Sequence, residues 1–385
     1  MYDPLYQAIP RFEQETGLRV EVVVRLPHPE LNAWVKREFG AGDPDIDLLS
    51  THTKYAPSQA EWLSPLDHVI ADEHQQDLLA RPAALSRIEE RLLQVPRNVD
   101  VRLLHYRTDL IGSGAGSPRV PETWTELGDV AAALTTTSTA GFVFPGRDSG
   151  LFGTFYELLV SAGGQLFDDE LHPSFESVEG VWAAAFLADL HDVRRVTPRA
   201  LPDWHYDEIS AAFRAGDAAM VFDWPGSYHL YRDAETSRVS DRFGLALIPT
   251  GPAGARAAYS GCHSFAVPRA SRNPEGGAAL LRYLTSFESQ LGEARQGAIP
   301  CRVSALDRVR DEAAGNPTDA SRWRLLAETE QIMIIPPRFA AYPLCEDAIW
   351  RAVQQALVGK WSPERAIERA AADVRNIVEA HASVS

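Results

Sequence analysis

Three features of the chain could in principle do chemistry, and each can be tested on its own spacing. Asp43-Pro44-Asp45-Ile46-Asp47 alternates acids like the start of a calcium loop. The sixth position is Leu48 rather than Gly and the twelfth is Lys54 rather than Glu, so neither the sharp turn nor the bidentate closing ligand is available. Cys262, Cys301 and Cys345 lack the C-x-x-C spacing of a zinc ribbon or a thioredoxin-type pair, and three cysteines allow at most one internal disulfide. Carboxylates are plentiful, and a glycosidase needs only two of them about 5 to 10 Å apart, a separation that sequence leaves open. The chain has no G-x-S-x-G, G-x-x-x-x-G-K-[ST], H-E-x-x-H or complete G-x-G-x-x-G, which sets aside the readily recognised serine hydrolases, P-loop enzymes, zincins and dinucleotide binders. No metal and no cofactor is expected.

The stretch AAFRAGDAAMVFDWPGSY, residues 211–228, carries a different kind of chemistry. Ile209, Ala212 and Phe213 share a helix face that Gly216 should stop, since glycine takes the left-handed C-cap conformation. The continuous apolar run from Ala218 to Phe222 then reads as a strand covered on both faces, and Asp223-Trp224-Pro225-Gly226 breaks it with turn residues. A large aromatic ring is thereby delivered to a strand tip. Its alternative role is to cap the core under the Pro-Gly turn.

The elements that would position such a ring follow α/β order. A polar helix through Phe12, interrupted or started by Pro10, leads to a strand over Leu18–Val24; a helix around Leu31–Phe39 leads to a buried strand in GDPDIDLLS; LLQVPRNVDVRLLHY is strand-like again. GSGAGSP, residues 112–118, is the most linker-like stretch and precedes a helix in PETWTELGDVAAAL. GTFYELLVSAGGQLF is a helix closed by Gly163-Gly164 and followed by a short strand. SVEGVWAAAFLADLHDV places Val181, Ala185, Phe186 and Leu190 at helical spacing. Strands FGLALIP and SFAVP, the helix NPEGGAALLRYLTSF and a mainly helical final part complete the chain, with no internal repeat.

Bulk composition fits this reading. At 385 residues with 45% hydrophobic content, two lobes are expected instead of one core. Fifty-three acidic against 37 basic residues, net −16, repel nucleic acid and anionic lipid. No stretch approaches the roughly 20 apolar residues of a membrane helix, and MYDPLYQAIPRFEQETG lacks the pattern of a secretory signal, as a mature chain would.

Several phrases, in order, resemble the extracellular solute-binding proteins of ABC importers, in the branch that includes maltose-binding protein. They are FEQETGLRVEVV, DIDLLSTHTKYAPSQAEWLSPLD, VPRNVDVRLLHYRTDL, PETWTEL, AAFRAGDAAMVFDWPGSY, SFAVPRASRNPEGGAALLRYLTSFESQ, GAIPCR and VGKWSPERAIERA. Departures are a start at Met1 almost on the first helix, where the family usually has a strand, Tyr106-Arg107 in place of Tyr-Asn, and Asp223-Trp224 where Gly is common.

The resemblance implies a two-lobed α/β periplasmic-binding-protein fold of type II with a ligand cleft between the lobes. One lobe is expected at 1–107 plus 260–304 and the other at 108–259 plus 305–385, with hinge crossovers near 107–110, 258–262 and 302–308. It further implies a monomeric, non-enzymatic protein that captures a small polar solute, a carbohydrate first of all, by hinge closure and hands it to ABC permease subunits in the membrane. The location implied is extracytoplasmic, periplasmic or as a cell-surface lipoprotein; a hydrolytic enzyme with paired carboxylates and a sensory binding protein are the alternatives.

Trp224 and Tyr228 are then cleft-wall aromatics, and Trp350 matches a family ring that stacks on sugar. His52 and Thr53 follow the DIDLLS strand where the family places polar contacts, and Asp100 falls at a ligand-contacting acid, with a salt bridge to Arg97 or Arg102 as its alternative. Asn98, Asp148, Trp204, His263 and Arg302 complete the candidate set, and a Cys262–Cys301 disulfide near the crossovers is also implied.

Overall fold

In the computed structural model, which describes residues 3–42, 44–112 and 118–382, the chain divides into two compact units. Asp43 of the rejected calcium loop, residues 113–117 of the linker-like stretch and Met1 lie outside the described residues. Unit 1 comprises 1–100, 260–323 and 336–342; unit 2 comprises 101–259, 324–335 and 343–385. The crossing at Tyr259/Ser260 falls where the expected division puts it, whereas the crossing at Asp100/Val101 comes earlier than 107/108 and the late crossings come after 304/305. Residues 101–107 belong to unit 2, and 305–323 pack in unit 1.

The strands are β1 (Leu49–His52), β2 (Val95–Val101), β3 (Leu103–Arg107), β4 (Met220–Asp223), β5 (Phe243–Ala246), β6 (Ala258–Ala266), β7 (Ile299–Pro300) and β8 (Met333–Ile334). A two-residue hairpin, Arg87–Ile88 with Arg91–Leu92, stands apart.

In unit 1 the order is β1-β6-β2-β7. β1 runs antiparallel to β6 from Leu49 opposite Ala266 to His52 opposite His263, and β7 runs antiparallel to β2 with Asn98 opposite Pro300. One face is covered by Leu5, Leu66, Ile70, Val95, Phe265, Leu281 and Leu284, and a second cluster gathers Val35, Phe39, Leu49, Leu63 and Leu93. Each such side chain contributes about 1.5 to 3 kcal/mol by leaving water.

The helix Asp3–Thr16 continues past Pro10, which lies exposed in its interior, so the helix does not start there. The expected strand over Leu18–Val24 does not form. A strand needs a neighbour's ladder, whereas this run is held by Leu18 N–H on Thr16 Oγ1 and Val20 N–H on Glu13 Oε1. Val22 and Val23 accordingly stay 49% and 59% exposed.

In unit 2, β3 is the central strand of the order β4-β3-β5, with Leu103 opposite Asp223 and Arg107 opposite Phe243. That central position is why residues 101–107 go with unit 2. Bridges Ala140 to Ala218 and Val143 to Val221 widen the sheet. The apolar run before Trp224 is buried throughout, as its composition requires, and Gly216 closes the helix Tyr206–Ala215 at φ 81°.

Thr123 and Glu126 form a capping box at the start of the helix Trp124–Leu134. Trp124, Phe142 and Phe222 interlock edge-on in the core, with ring centroids 5.2 and 4.8 Å from Phe222. The helix Val178–Ala188 turns Gly180, Ala183, Ala184 and Leu187 inward, one position round from the expected stripe, leaving Val181, Ala185 and Phe186 half-buried. Leu190 is buried in the π turn that follows. Among the described residues no helix is long and apolar enough to cross a membrane.

Candidate functional site

Unit 1 brings a polar group together at the ends of β1, β2 and β6. The antiparallel register sets His52 opposite His263, and their imidazoles meet edge to face, 5.3 Å between centroids and 89° between planes. Gly261 makes room for this: a Cβ there would stand 2.3 Å from His52 Cε1. His52 Nδ1 accepts the Lys54 N–H at 3.2 Å, which places the proton of a neutral ring on Nε2.

His263 Nε2 lies 2.8 Å from Asp100 Oδ2. The other oxygen of Asp100 accepts from Asn98 Nδ2 at 2.8 Å, and its carbonyl accepts from Ser260 Oγ at 2.6 Å. Asn98, Asp100 and His263 are all buried, and Asn98 Oδ1 has no hydrogen-bond partner among the described residues. Thr53 is buried beside them, its hydroxyl accepting the Cys262 N–H at 3.2 Å.

Asp100 pairs with neither arginine proposed for it, since Arg97 goes to Glu293 at 2.6 Å and Arg102 to Glu157 at 2.7 Å. Arg302 is engaged elsewhere. Its Nε lies 2.7 Å from Asp77 Oδ2, and Asp77 also accepts the Ser304 N–H and hydroxyl at the start of the helix Val303–Ala313. Against the desolvation that raises it, the Ser304 bonds and Arg302 hold the Asp77 carboxyl below its ordinary value.

The expected Cys262–Cys301 disulfide is absent: both are buried free thiols. Burial pushes the Cys301 thiol well up, with the Cys262 hydrogen bond and the charges of Asp100 and Glu293 acting in the same direction.

Unit 2 gathers aromatics around Trp224, which is half-buried after the end of β4. Its ring neighbours Tyr206, 5.3 Å away at 53°, and Tyr259, 6.1 Å away at 47°. The Arg102 guanidinium stands 5.8 Å from the Trp224 centroid and 5.6 Å from that of Tyr259, within cation–π reach.

Arg102 is fully buried and held on both sides of its fork, with Nε 3.1 Å from Glu157 Oε1 and Nη2 2.7 Å from Oε2; Nη1 donates to Thr154 Oγ1 at 3.0 Å. Glu157 Oε1 also accepts the Tyr259 N–H at 2.7 Å. Burial pushes the Glu157 carboxyl up to about 7 against the pull of Arg102.

One face of the helix Asp148–Ser161 builds this arrangement through Gly150, Gly153, Thr154 and Glu157, spaced i, i+3, i+4 and i+7. A Cβ on Gly153 would come within 2.6 Å of the Tyr259 ring and 2.8 Å of Arg102 Nη2.

The other candidates of unit 2 are dispersed. Trp204 is half-buried after a short 3-10 turn and its carbonyl accepts the Gly146 N–H at 2.9 Å. Asp148 opens its helix at φ 52° and pairs with Arg147 at 3.0 Å. Tyr228 is buried against Phe243, 5.6 Å between centroids, with Arg232 5.4 Å over its ring. Trp350 is 8% exposed, donates Nε1–H to Asp347 at 2.9 Å and carries Arg351 4.5 Å over its ring.

Trp224 with Tyr206 and Tyr259 after a strand end in one unit, and Asn98, Asp100 and His263 near strand ends in the other, are the two groupings of side chains described above. Residues 1–291 match the family of bacterial extracellular solute-binding proteins. The chain belongs to that family.

Relatives of this solute-binding protein agree along its length. A probable ABC transporter-binding protein of Deinococcus radiodurans is 24% identical over 380 residues, 95% of this chain and 88% of the relative. A mannitol-binding protein of Pseudomonas aeruginosa is 27% identical over 233 residues, 58% of this chain and 52% of its own. The maltose-bound MalE3 of T. maritima superposes with a TM-score of 0.90 at 27% identity, over 97% of this chain and 96% of that one. The two-lobed fold expected from the sequence is the fold of this solute-binding protein.

Sequence reasoning passed over Tyr206, Tyr259, Arg102 and Glu157. Two signals were available: Tyr206 lies in a Trp-His-Tyr run, and the small-small-polar-acid face of the helix Asp148–Ser161 interrupts an otherwise apolar helix.

Proposed function

We propose that this solute-binding protein is the capture component of an ABC importer and that its ligand is a neutral sugar or polyol. The observation that carries this reading is the half-buried Trp224 ring with the Tyr206 and Tyr259 rings beside it, on a chain whose relatives include a mannitol-binding protein and a maltose-bound structure.

Flat C–H faces of a sugar match an indole face. The hydroxyl rim needs partners, because a buried hydroxyl left unpaired costs about 1 to 3 kcal/mol. In unit 1, Asn98 Oδ1 is a buried acceptor without a hydrogen-bond partner among the described residues, and the Asp100–His263 pair beside it supplies further polar atoms. The proposed roles are stacking for Trp224 and hydrogen bonding for His52, Asn98, Asp100 and His263. Hinge closure around the solute, a permease as partner and a periplasmic or lipid-anchored location complete the reading. An affinity in the micromolar range corresponds to about −8 kcal/mol.

A thermal-shift screen against mono- and disaccharides, alditols, amino acids and amines tests it, because a ligand bound by the native state raises Tm as RT ln(1 + [L]/Kd). Stabilisation by a sugar or alditol is the expected result. A response confined to amines or amino acids would overturn the ligand class.

A further inference from the structure

Asp223 closes β4 and is 1% exposed. Its Oδ1 accepts the backbone N–H of Trp224 at 2.7 Å, and its Oδ2 accepts the hydroxyl of Tyr231. Ser227 adds a further hydrogen bond. The chain reverses through Pro225-Gly226 directly afterwards, so the bond to Trp224 fixes where that residue leaves the strand.

The groups facing this carboxylate come from every neighbouring element. Arg102, between β2 and β3, is the cation of the set, but its fork is already held by Glu157 of the helix Asp148–Ser161. Tyr231 and Ser227 come from the helix Ser227–Arg232. His105 of β3 meets the Tyr231 ring edge-on at 5.1 Å.

We propose that Asp223 is a positioning residue for the Trp224 ring, and that proton uptake at Asp223 loosens the hold on solute, making binding weaker in acid. The proposal rests on the reading of Trp224 as the stacking ring. As a carboxylate, Asp223 accepts at both oxygens. As an acid it carries a proton on one of them: on Oδ2 the bond reverses, Asp223 donating to the Tyr231 oxygen, and on Oδ1 the proton displaces the Trp224 N–H, so in either case that N–H loses its charge-assisted acceptor. Burial favours that proton: it pushes the carboxyl up to about 6, opposed by the Tyr231, Trp224 and Ser227 hydrogen bonds and by Arg102.

The test is tryptophan-fluorescence titration of the full chain with maltose, D-mannitol, D-tagatose and ribitol between about pH 5 and pH 8. For the probe that binds, Kd is expected to rise roughly tenfold from the alkaline to the acid end, with its midpoint about 6. Asp223→Asn should show the acid-end Kd at every pH. Tyr231→Phe should move the midpoint upward, because the charged carboxylate loses a donor.

A Kd unchanged across the range, or an Asp223→Asn protein that keeps the parental profile, overturns the proposal. Should Asp223→Asn fail to fold, an unmoved midpoint in Tyr231→Phe overturns it equally. Absence of any response to all four probes would sink the sugar-or-polyol reading itself and this proposal with it, whereas binding that ignores pH sinks this proposal alone.

Discussion

The imidazole Nε2 of His263 lies 2.8 Å from Oδ2 of Asp100, with 9% and 6% of the two side chains exposed. The carboxylate fixes the orientation of a ring whose neighbour across the ladder is His52. Asp100→Ala should remove that acceptor and the anchor of Asn98 together, at about 1 to 3 kcal/mol of stability. Solute affinity should fall by roughly ten- to a hundredfold, the equivalent of about one or two hydrogen bonds to a charged group. Urea unfolding and calorimetric titration read the two effects separately, and Asp100→Asn should recover part of each. An Asp100→Ala protein with parental affinity would remove the pair from the site.

The buried Arg102–Glu157 pair gives a second prediction. Breaking it by Arg102→Met strands the Glu157 carboxylate in the core and should cost roughly 3 to 5 kcal/mol. The double replacement Arg102→Met with Glu157→Leu removes both charges and should cost markedly less than Arg102→Met alone. A double-mutant cycle by urea unfolding decides it, and additive losses would contradict the account.

Glu157 also gives a pH signature. Its folded-state value of about 7 is raised above the ordinary 4.5. The contribution to stability is therefore fully present below about pH 4.5 and is lost as pH rises through 7. Between about pH 5 and pH 8 the parent should lose roughly 2 kcal/mol relative to Glu157→Gln, whose amide does not titrate. Parallel stability curves for the two proteins would refute this.

Gly153→Ala should destabilise by about 1 to 3 kcal/mol despite alanine's better helix propensity, because the new methyl would press into the Tyr259 ring and Arg102. Gly292, in the helix Phe287–Arg295, faces open space within 4 Å. There the same change should stabilise by about 0.5 to 1 kcal/mol. Thermal unfolding of the two variants side by side tests the contrast.

What could be read ahead of the structure follows the range of the forces involved. Gly216 as a C-cap and a strand before Trp224 are local consequences of backbone freedom and apolar runs; the cap stands as expected, and the strand forms but runs Met220–Asp223, taking in the Asp223 expected to break it. The strand over Leu18–Val24 failed because alternation reports which face is apolar and not whether a partner strand lies alongside. The partner of Arg302 was not legible for a related reason: Asp77 is 225 positions away, and nothing local marks the pair. The same holds for Arg102 and Glu157, 55 positions apart, although the Gly150, Gly153, Thr154, Glu157 face was legible as spacing. Trp224 could be placed at a strand tip, but the rings of Tyr206 and Tyr259 beside it are products of tertiary packing.

The measurement that bears most directly on the account is calorimetric titration of the parent and of Trp224→Ala with the sugar or alditol that gives the largest thermal shift. Loss of the stacking face should weaken binding by about 1 to 3 kcal/mol, roughly ten- to a hundredfold in Kd, with the fold intact. Equal Kd values for the two proteins would show that the solute does not rest on Trp224.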